Sequence, residues 1–262
     1  MITLSYVDAH IHLTDPGYAG MVEKVVEEAT AGGVTCLLSN GMDYESSART
    51  LALAERYAGK VLAAVGIHPW TVTNANEPLD LKLFEEFVLS NRERITAIGE
   101  IGLDGQYTQD VDKKSKQHET FQHCLGLADR CKLPVMIHSR LAIDDVLNLL
   151  PNYSLTKVVL HWYSGPTEHL QLIRDRGYFI TVGPSLLYSK RTQEIARTAD
   201  LSIILTETDG PVNYYGPFKG KPTRPNFVID VVNKLAEIKN ENIDRVRDKV
   251  WKNFQTVISH KP

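Results

Sequence analysis

The chain reads as a single (β/α)8 barrel, an α/β fold, with residues 1–262 as one domain. Three observations predict it. Short runs rich in β-branched residues alternate with amphipathic segments from end to end, which is the rhythm of βα units. Runs such as Val61-Leu-Ala-Ala-Val65 and Val158-Val-Leu160 are apolar on both faces, as a parallel sheet covered by helices requires. A length of 262 residues is close to the ordinary size of such a barrel. An open doubly wound sheet is the structural alternative, but no G-x-G-x-x-G follows the first strand.

The first strand run, Tyr6–His12, places Asp8, His10 and His12 on one face by simple alternation. A helical pattern over Tyr18–Ala31 follows it. The second and third units pair Val34–Asn40 with Tyr44–Tyr57, and Val61–His68 with Leu79–Arg92. The fourth and fifth pair Ile95–Leu103 with Ser115–Cys131, and Pro134–His138 with Ala142–Leu149. The sixth and seventh pair Lys157–His161 with Thr167–Arg176, and Tyr178–Val182 with Arg191–Ala199. The eighth strand, Ser202–Thr208, leads through a loop to two helical stretches, Asn226–Lys239 and Asp244–Ser259. No tandem repeat beyond this rhythm, low-complexity tract or linker interrupts the series.

Composition excludes several classes. A net charge of −3 argues against a generally basic nucleic-acid binder, although a bound divalent ion adds positive charge locally. No apolar run approaches the length of a membrane span. The start, Met1-Ile-Thr-Leu-Ser-Tyr6, has no basic segment before an apolar stretch, so no signal peptide is expected. Cys36, Cys124 and Cys131 have no framework spacing, which points to reduced thiols and a cytoplasmic protein.

In a βα barrel, chemistry gathers where the C-terminal ends of the strands open into one mouth. His10 and His12 end the first strand, His68 the third, His138 the fifth and His161 the sixth. Glu100 lies near the end of the fourth, and Asp209 follows the eighth. Seven metal-capable side chains at these positions are hard to explain as packing, whereas His118, His123, His169 and His260 scatter over helical surfaces. A carboxylate can bridge two divalent ions roughly 3.5–4 Å apart, and Glu100 stands in the middle of the strand order. His10, His12 and Asp209 come from strands that become neighbours when the barrel closes, so they can share a first ion. His138 and His161 come from adjacent strands and can share a second. A mononuclear site with the remaining residues as supports is the alternative. Asp8, Asp104 and Glu207 can orient such ligands or form buried pairs. Arg140 shares parity with His138 and can reach a phosphate or form a rim salt bridge. Aromatic residues after strand ends (Trp70, Trp162, Tyr163, Tyr214, Tyr215, Phe218) can stack unpaired bases or simply pack loops. Lys219, Lys221 and Arg224 can track a phosphate backbone or form a solvated face.

Six segments together resemble a known family. They are Asp8-Ala-His-Ile-His-Leu, Gly66-Ile-His-Pro-Trp, Gly99-Glu-Ile-Gly-Leu-Asp104, Leu133-Pro-Val-Met-Ile-His-Ser-Arg140, His161-Trp-Tyr-Ser-Gly165 and Thr206-Glu-Thr-Asp-Gly-Pro211. In this order and spacing they resemble the TatD-related deoxyribonucleases of the amidohydrolase-like metal-dependent hydrolase superfamily. The resemblance implies a TIM barrel and divalent-metal hydrolysis of DNA phosphodiester bonds, often as a 3′→5′ exonuclease. It makes His10, His12, Glu100, His138, His161 and Asp209 the metal ligands. Asp209 would also accept a proton from the attacking water, and His68 would face the substrate phosphate. Glu100 stands where several related hydrolases carry a carboxylated lysine. Two positions depart from the family pattern. Trp162-Tyr163 replaces a common Cys-Phe, and Asp209-Gly-Pro replaces Asp-Ser-Pro. Both alter the cavity wall and spare the ligands.

The expected cofactor is one or two divalent ions. Four imidazoles and two carboxylates suit zinc or manganese by ligand softness, whereas the resemblance implies magnesium-supported activity. The expected substrate is DNA with single-stranded or frayed ends, without a membrane partner. One rival is a hydrolase of a small amide, lactone or phosphoester on the same metals, favoured by the acidic net charge. Another is a metal-bearing binding protein without turnover, which the intact ligand set argues against.

Overall fold

The computed structural model describes residues 5–77 and 79–259, so Met1–Leu4 of the N-terminal reading and His260 lie outside the described residues. Eight strands run in chain order: β1 (Tyr6–Ile11), β2 (Val34–Asn40), β3 (Val61–Val65), β4 (Ala97–Asp104), β5 (Val135–Arg140), β6 (Val158–Leu160), β7 (Phe179–Val182) and β8 (Ile204–Thr206). They form one parallel sheet in which each strand pairs with the next. The expected barrel is the fold found. Its last seam, β8 to β1, is joined by a few specific bonds. The Asp209 amide donates to the His10 carbonyl and the His12 amide to the Gly210 carbonyl, each at 2.8 Å. The Thr206 hydroxyl donates to the Val7 carbonyl at 2.9 Å. The Thr208 amide donates to Asp8 Oδ1 at 2.8 Å, and the Thr208 hydroxyl donates to Asp8 Oδ2.

Helices cover the outside: α1 (Val22–Ala31), α2 (Tyr44–Arg56), α3 (Pro69–Asn74), α4 (Leu81–Ser90), α5 (Val111–Cys131), α6 (Ile143–Leu149), α7 (His169–Asp175), α8 (Lys190–Thr198), α9 (Phe227–Lys239) and α10 (Ile243–Ile258). The outward face of β1 explains their placement. Ile11 is wholly buried in one cluster with Val25, Val26 and Ala29 of α1 and Val34 of β2. On α5, Phe121, Cys124 and Leu125 are likewise buried. Complete burial of a large apolar side chain contributes about 1.5–3 kcal/mol.

Boundaries differ where capping outweighs periodicity. The expected Tyr18–Ala31 helix starts only at Val22, because Pro16–Tyr18 forms a 3-10 turn and Gly20 adopts a φ of 72°. The α5 helix starts earlier than Ser115, because Asp110 accepts from the amides of Asp112 and Lys113. Strand β3 ends at Val65, leaving His68 extended as the N-cap of the unforeseen helix α3. Strand β8 starts at Ile204, because Asp200 caps a 3-10 turn over Leu201–Ile203.

Candidate metal centre

Strand β1 presents His10 and His12 inward, and Glu100 projects from β4 into the same space. Glycine makes this approach possible. A Cβ on Gly66 would lie 2.4 Å from the Glu100 carbonyl oxygen, so β3 and β4 come this close only without one. His138 lies on β5, His161 directly follows β6, and Asp209 lies three residues past β8. Asp209 has a φ of 46°, a left-handed conformation that Asp tolerates better than most residues.

These side chains divide around the two oxygens of Glu100. Its Oε2 lies 3.2 Å from both His10 Nε2 and His12 Nε2. Asp209 Oδ1 completes that side, 3.3 Å from His12 Nε2 and 3.6 Å from His10 Nε2. The other oxygen, Oε1, lies 2.8 Å from His138 Nδ1, 3.1 Å from His161 Nε2 and 3.2 Å from His68 Nε2.

The outer ring nitrogens reveal where the protons sit. His12 Nδ1 faces the Asn40 carbonyl at 3.1 Å, and a carbonyl only accepts, so Nδ1 carries the proton. His161 Nδ1 faces Glu207 Oε2 at 3.2 Å, and His138 Nε2 faces Asp104 Oδ2 at 2.7 Å. When neutral, each of these three imidazoles therefore turns a lone pair toward Glu100. His68 is the opposite case. Its Nδ1 accepts the Trp70 amide at 3.0 Å, so a neutral ring carries its proton on Nε2 and donates into the cavity.

This donor set fits a divalent cation. His10 Nε2 and His12 Nε2 are 3.2 Å apart, and both face a buried carboxylate oxygen. Lone pairs converging in a buried space are costly unless a cation or protons lie between them. Protons compete for the same positions. Burial opposes charge on His12, but Asp209 and Glu100 outweigh it and lift its pKa to about 10. Burial also opposes charge on His161 and His138. Glu100 and Glu207 raise the former well above its usual value, and Asp104 and Glu100 raise the latter. His10 is lowered by burial and by the neighbouring His161, and His68 is lowered by burial. Burial favours protonated Glu100, yet His68, His161 and His10 hold it well below the usual carboxylate range. Asp209 is lowered in the same way, with the His12 hydrogen bond overcoming burial.

Among the described residues, three groups have ligand atoms within 4.8 Å of one another: His10–His12–Glu100, His68–Glu100–His138 and His10–His161–Glu207. The proton on His68 Nε2 makes that ring a donor rather than a ligand. Glu207 lies behind the rings, away from Glu100.

The centre floors a cavity of about 680 Å³. Its walls include Asp15, Tyr107, Arg140, Trp162 and Asn213. Arg140 is an exposed residue of that lining. The Tyr107 ring lies nearly parallel to His138 at 6.1 Å, and Trp162 meets His161 edge-on at 6.4 Å. Sequence reasoning missed Tyr107 and Asp15. The available signal was position alone, since each lies in the loop after an inward strand. Tyr163, Tyr214 and Phe218 are buried packing residues, and Trp70 and Tyr215 lie exposed outside the cavity lining. Lys219, Lys221 and Arg224 also lie outside that lining, and Arg224 pairs with Glu28 at 3.4 Å. At the Asp209-Gly-Pro departure, a Cβ on Gly210 would lie 2.0 Å from the Tyr18 hydroxyl. The buried Tyr18 thus accounts for glycine here.

Comparison with known proteins agrees with this arrangement. The sequence pattern of the TatD related DNase family matches residues 7–259. The uncharacterized metal-dependent hydrolase YjjV of Escherichia coli K12 is 29% identical over 257 residues, covering 97% of this chain and 98% of the relative. The crystal structure of that TatD homologue superimposes with a TM-score of 0.90 over the full length of both chains. Human deoxyribonuclease TATDN3 is 29% identical over 259 residues, covering 94% of this chain and 92% of the relative. With the family pattern matching from β1 to the end of α10, the chain belongs to the TatD-related DNase family of metal-dependent hydrolases.

Proposed function

We propose that this hydrolase cleaves the phosphodiester bonds of DNA, removing nucleotides from the 3′ end of single-stranded or frayed strands. The observation that carries the reading is Glu100, which turns one oxygen to each set of imidazoles at the floor of the cavity. His10, His12 and Asp209 would hold a divalent ion on one side, and His138 and His161 one on the other. The donors suit zinc or manganese, and magnesium is the third candidate. Bound there, such ions supply an attacking water at neutral pH and positive charge against the phosphoryl oxygens.

The chain's own residues do the rest. Asp209, held as a carboxylate, accepts the proton released by the water. His68 donates its Nε2–H to a phosphoryl oxygen. Arg140 meets the neighbouring phosphate. Tyr107, beside His138, and Trp162, beside His161, wall the cavity and confine the terminal nucleoside. The three cysteines are free and buried, which accords with a reducing cytoplasm.

The test uses metal-stripped protein reloaded with magnesium, manganese or zinc, and DNA labelled at either end. Shortening from the 3′ end that vanishes in His138→Ala supports the reading, and intact DNA with every metal sinks it. One observation favours the small-phosphoester rival: Arg140 shares the cavity lining with the acidic Asp15. A polyanionic substrate predicts affinity that falls steeply with salt, and a small ester does not.

A further inference from the structure

We propose that Glu207 is a positioning residue shared by both halves of the metal centre. It holds the Nδ1–H form of His161 directly and that of His10 through one bridging water. Both Nε2 lone pairs are thereby aimed at Glu100.

Glu207 immediately follows β8 and is wholly buried. Its Oε2 takes two contacts, from the Thr181 hydroxyl at 2.5 Å and from His161 Nδ1 at 3.2 Å. The direction of the first is settled by Trp162, whose amide donates to the same hydroxyl oxygen at 2.7 Å. Thr181 therefore spends its own proton on the carboxylate. The second oxygen, Glu207 Oε1, is buried without a partner, and so is His10 Nδ1. These two atoms belong to one neighbourhood. The His10 and His161 rings stack at 3.9 Å with 15° between planes. Each sends its Nε2 to Glu100, His10 at 3.2 Å and His161 at 3.1 Å. With both Nε2 atoms committed to Glu100, Nδ1 is the nitrogen each ring has left for Glu207, and in His161 it is the one that meets it. One ring nitrogen from each and one Glu207 oxygen lie within 4.8 Å of one another. A donor and an acceptor, both buried and both unpaired on neighbouring side chains, are matched by a single water. His10 belongs to the Oε2 side of Glu100 and His161 to the Oε1 side, so one carboxylate orients a ligand of each. Asp104, by contrast, touches only His138 among the proposed ligands.

The inference rests on His10 and His161 being ligands and is independent of the substrate. Isothermal titration with manganese or zinc separates the two ideas. Wild-type protein that binds neither ion overturns the ligand reading and this inference with it. If wild type binds, Glu207→Gln keeps the side-chain shape and the Thr181 contact but offers one acceptor fewer. Its affinity is expected to fall roughly 10- to 100-fold, the usual effect of removing a ligand's outer partner. Affinity within twofold of wild type in a folded Glu207→Gln protein overturns the proposal. A second readout needs no variant. Histidine nitrogen NMR of the zinc-loaded wild type should show both His10 and His161 protonated at Nδ1, and a His10 protonated at Nε2 overturns the proposal as well.

Discussion

His68 and Asp209 show how a single local contact decides what a side chain can do. Nothing in Gly66-Ile-His-Pro distinguishes His68 as ligand or donor, because the Trp70 amide that fixes its tautomer belongs to a helix the sequence does not announce. With Nδ1 occupied, His68→Gln should leave the bound metal per chain unchanged. It should lower kcat/KM by roughly 10- to 100-fold, the range for losing a hydrogen bond to a charged group worth about 1.5–3 kcal/mol. Metal analysis beside steady-state kinetics checks this, and parallel loss of metal would make His68 a ligand. For Asp209 the informative substitution is asparagine. It shares the tolerance for a φ of 46°, so the backbone stays in place while the proton acceptor is lost. We expect kcat to fall about 10²- to 10⁴-fold, the usual contribution of a positioned base. Turnover within a few-fold of wild type would remove Asp209 from that role.

Between elements, the seam from β8 to β1 depends on Asp8. Its carboxylate accepts from the Thr208 amide at 2.8 Å, from the Thr208 hydroxyl and from the His10 amide at 3.3 Å. The sequence placed Asp8 beneath His10 without deciding between a ligand-orienting role and a structural one. The structure shows it joining the two strands, because every one of these partners is a donor from β1 or from the residues after β8. Asp8→Ala would leave those donors buried without an acceptor. The expected loss is about 2–3 kcal/mol in urea unfolding, from the cost of unsatisfied buried groups. A loss below about 0.5 kcal/mol would mean that water replaces the carboxylate. The same scale shows what a sequence can carry. The βα rhythm is legible because apolar periodicity extends over whole strands and helices. Helix α3 spans only Pro69–Asn74, too short for a 3.6-residue period to declare itself. The first turn of α5 escapes notice because Val111 is exposed and Asp110 holds the turn.

Across the whole molecule, the proposed ligands run from His10 to Asp209 and meet only when the barrel closes. Their convergence is legible because parallel barrel strands send all their C-terminal ends to one mouth. The pairing of Asp104 with His138 and Glu207 with His161 is not, since it depends on register between strands and on side-chain reach. That convergence predicts that metal and fold stabilise one another. One site filled at a hundredfold excess over Kd adds about 2.7 kcal/mol. At about 2–4 °C per kcal/mol for a chain of this size, chelation should lower Tm by roughly 5–10 °C. The gap should close as pH falls, for two reasons of the same sign. Protonated imidazoles do not ligate, so the metal contribution fades toward acid. In the metal-free protein, His12 is raised from 6.5 to about 10. Its ion pairs therefore stabilise fully below pH 6.5 and are lost as pH rises through about 10. Scanning calorimetry with and without chelator between pH 5.5 and pH 8.5 tests both. Equal Tm values at pH 8.5 would show that these imidazoles and carboxylates hold no structural cation, whereas a gap that widens toward alkaline pH would identify them as its ligands.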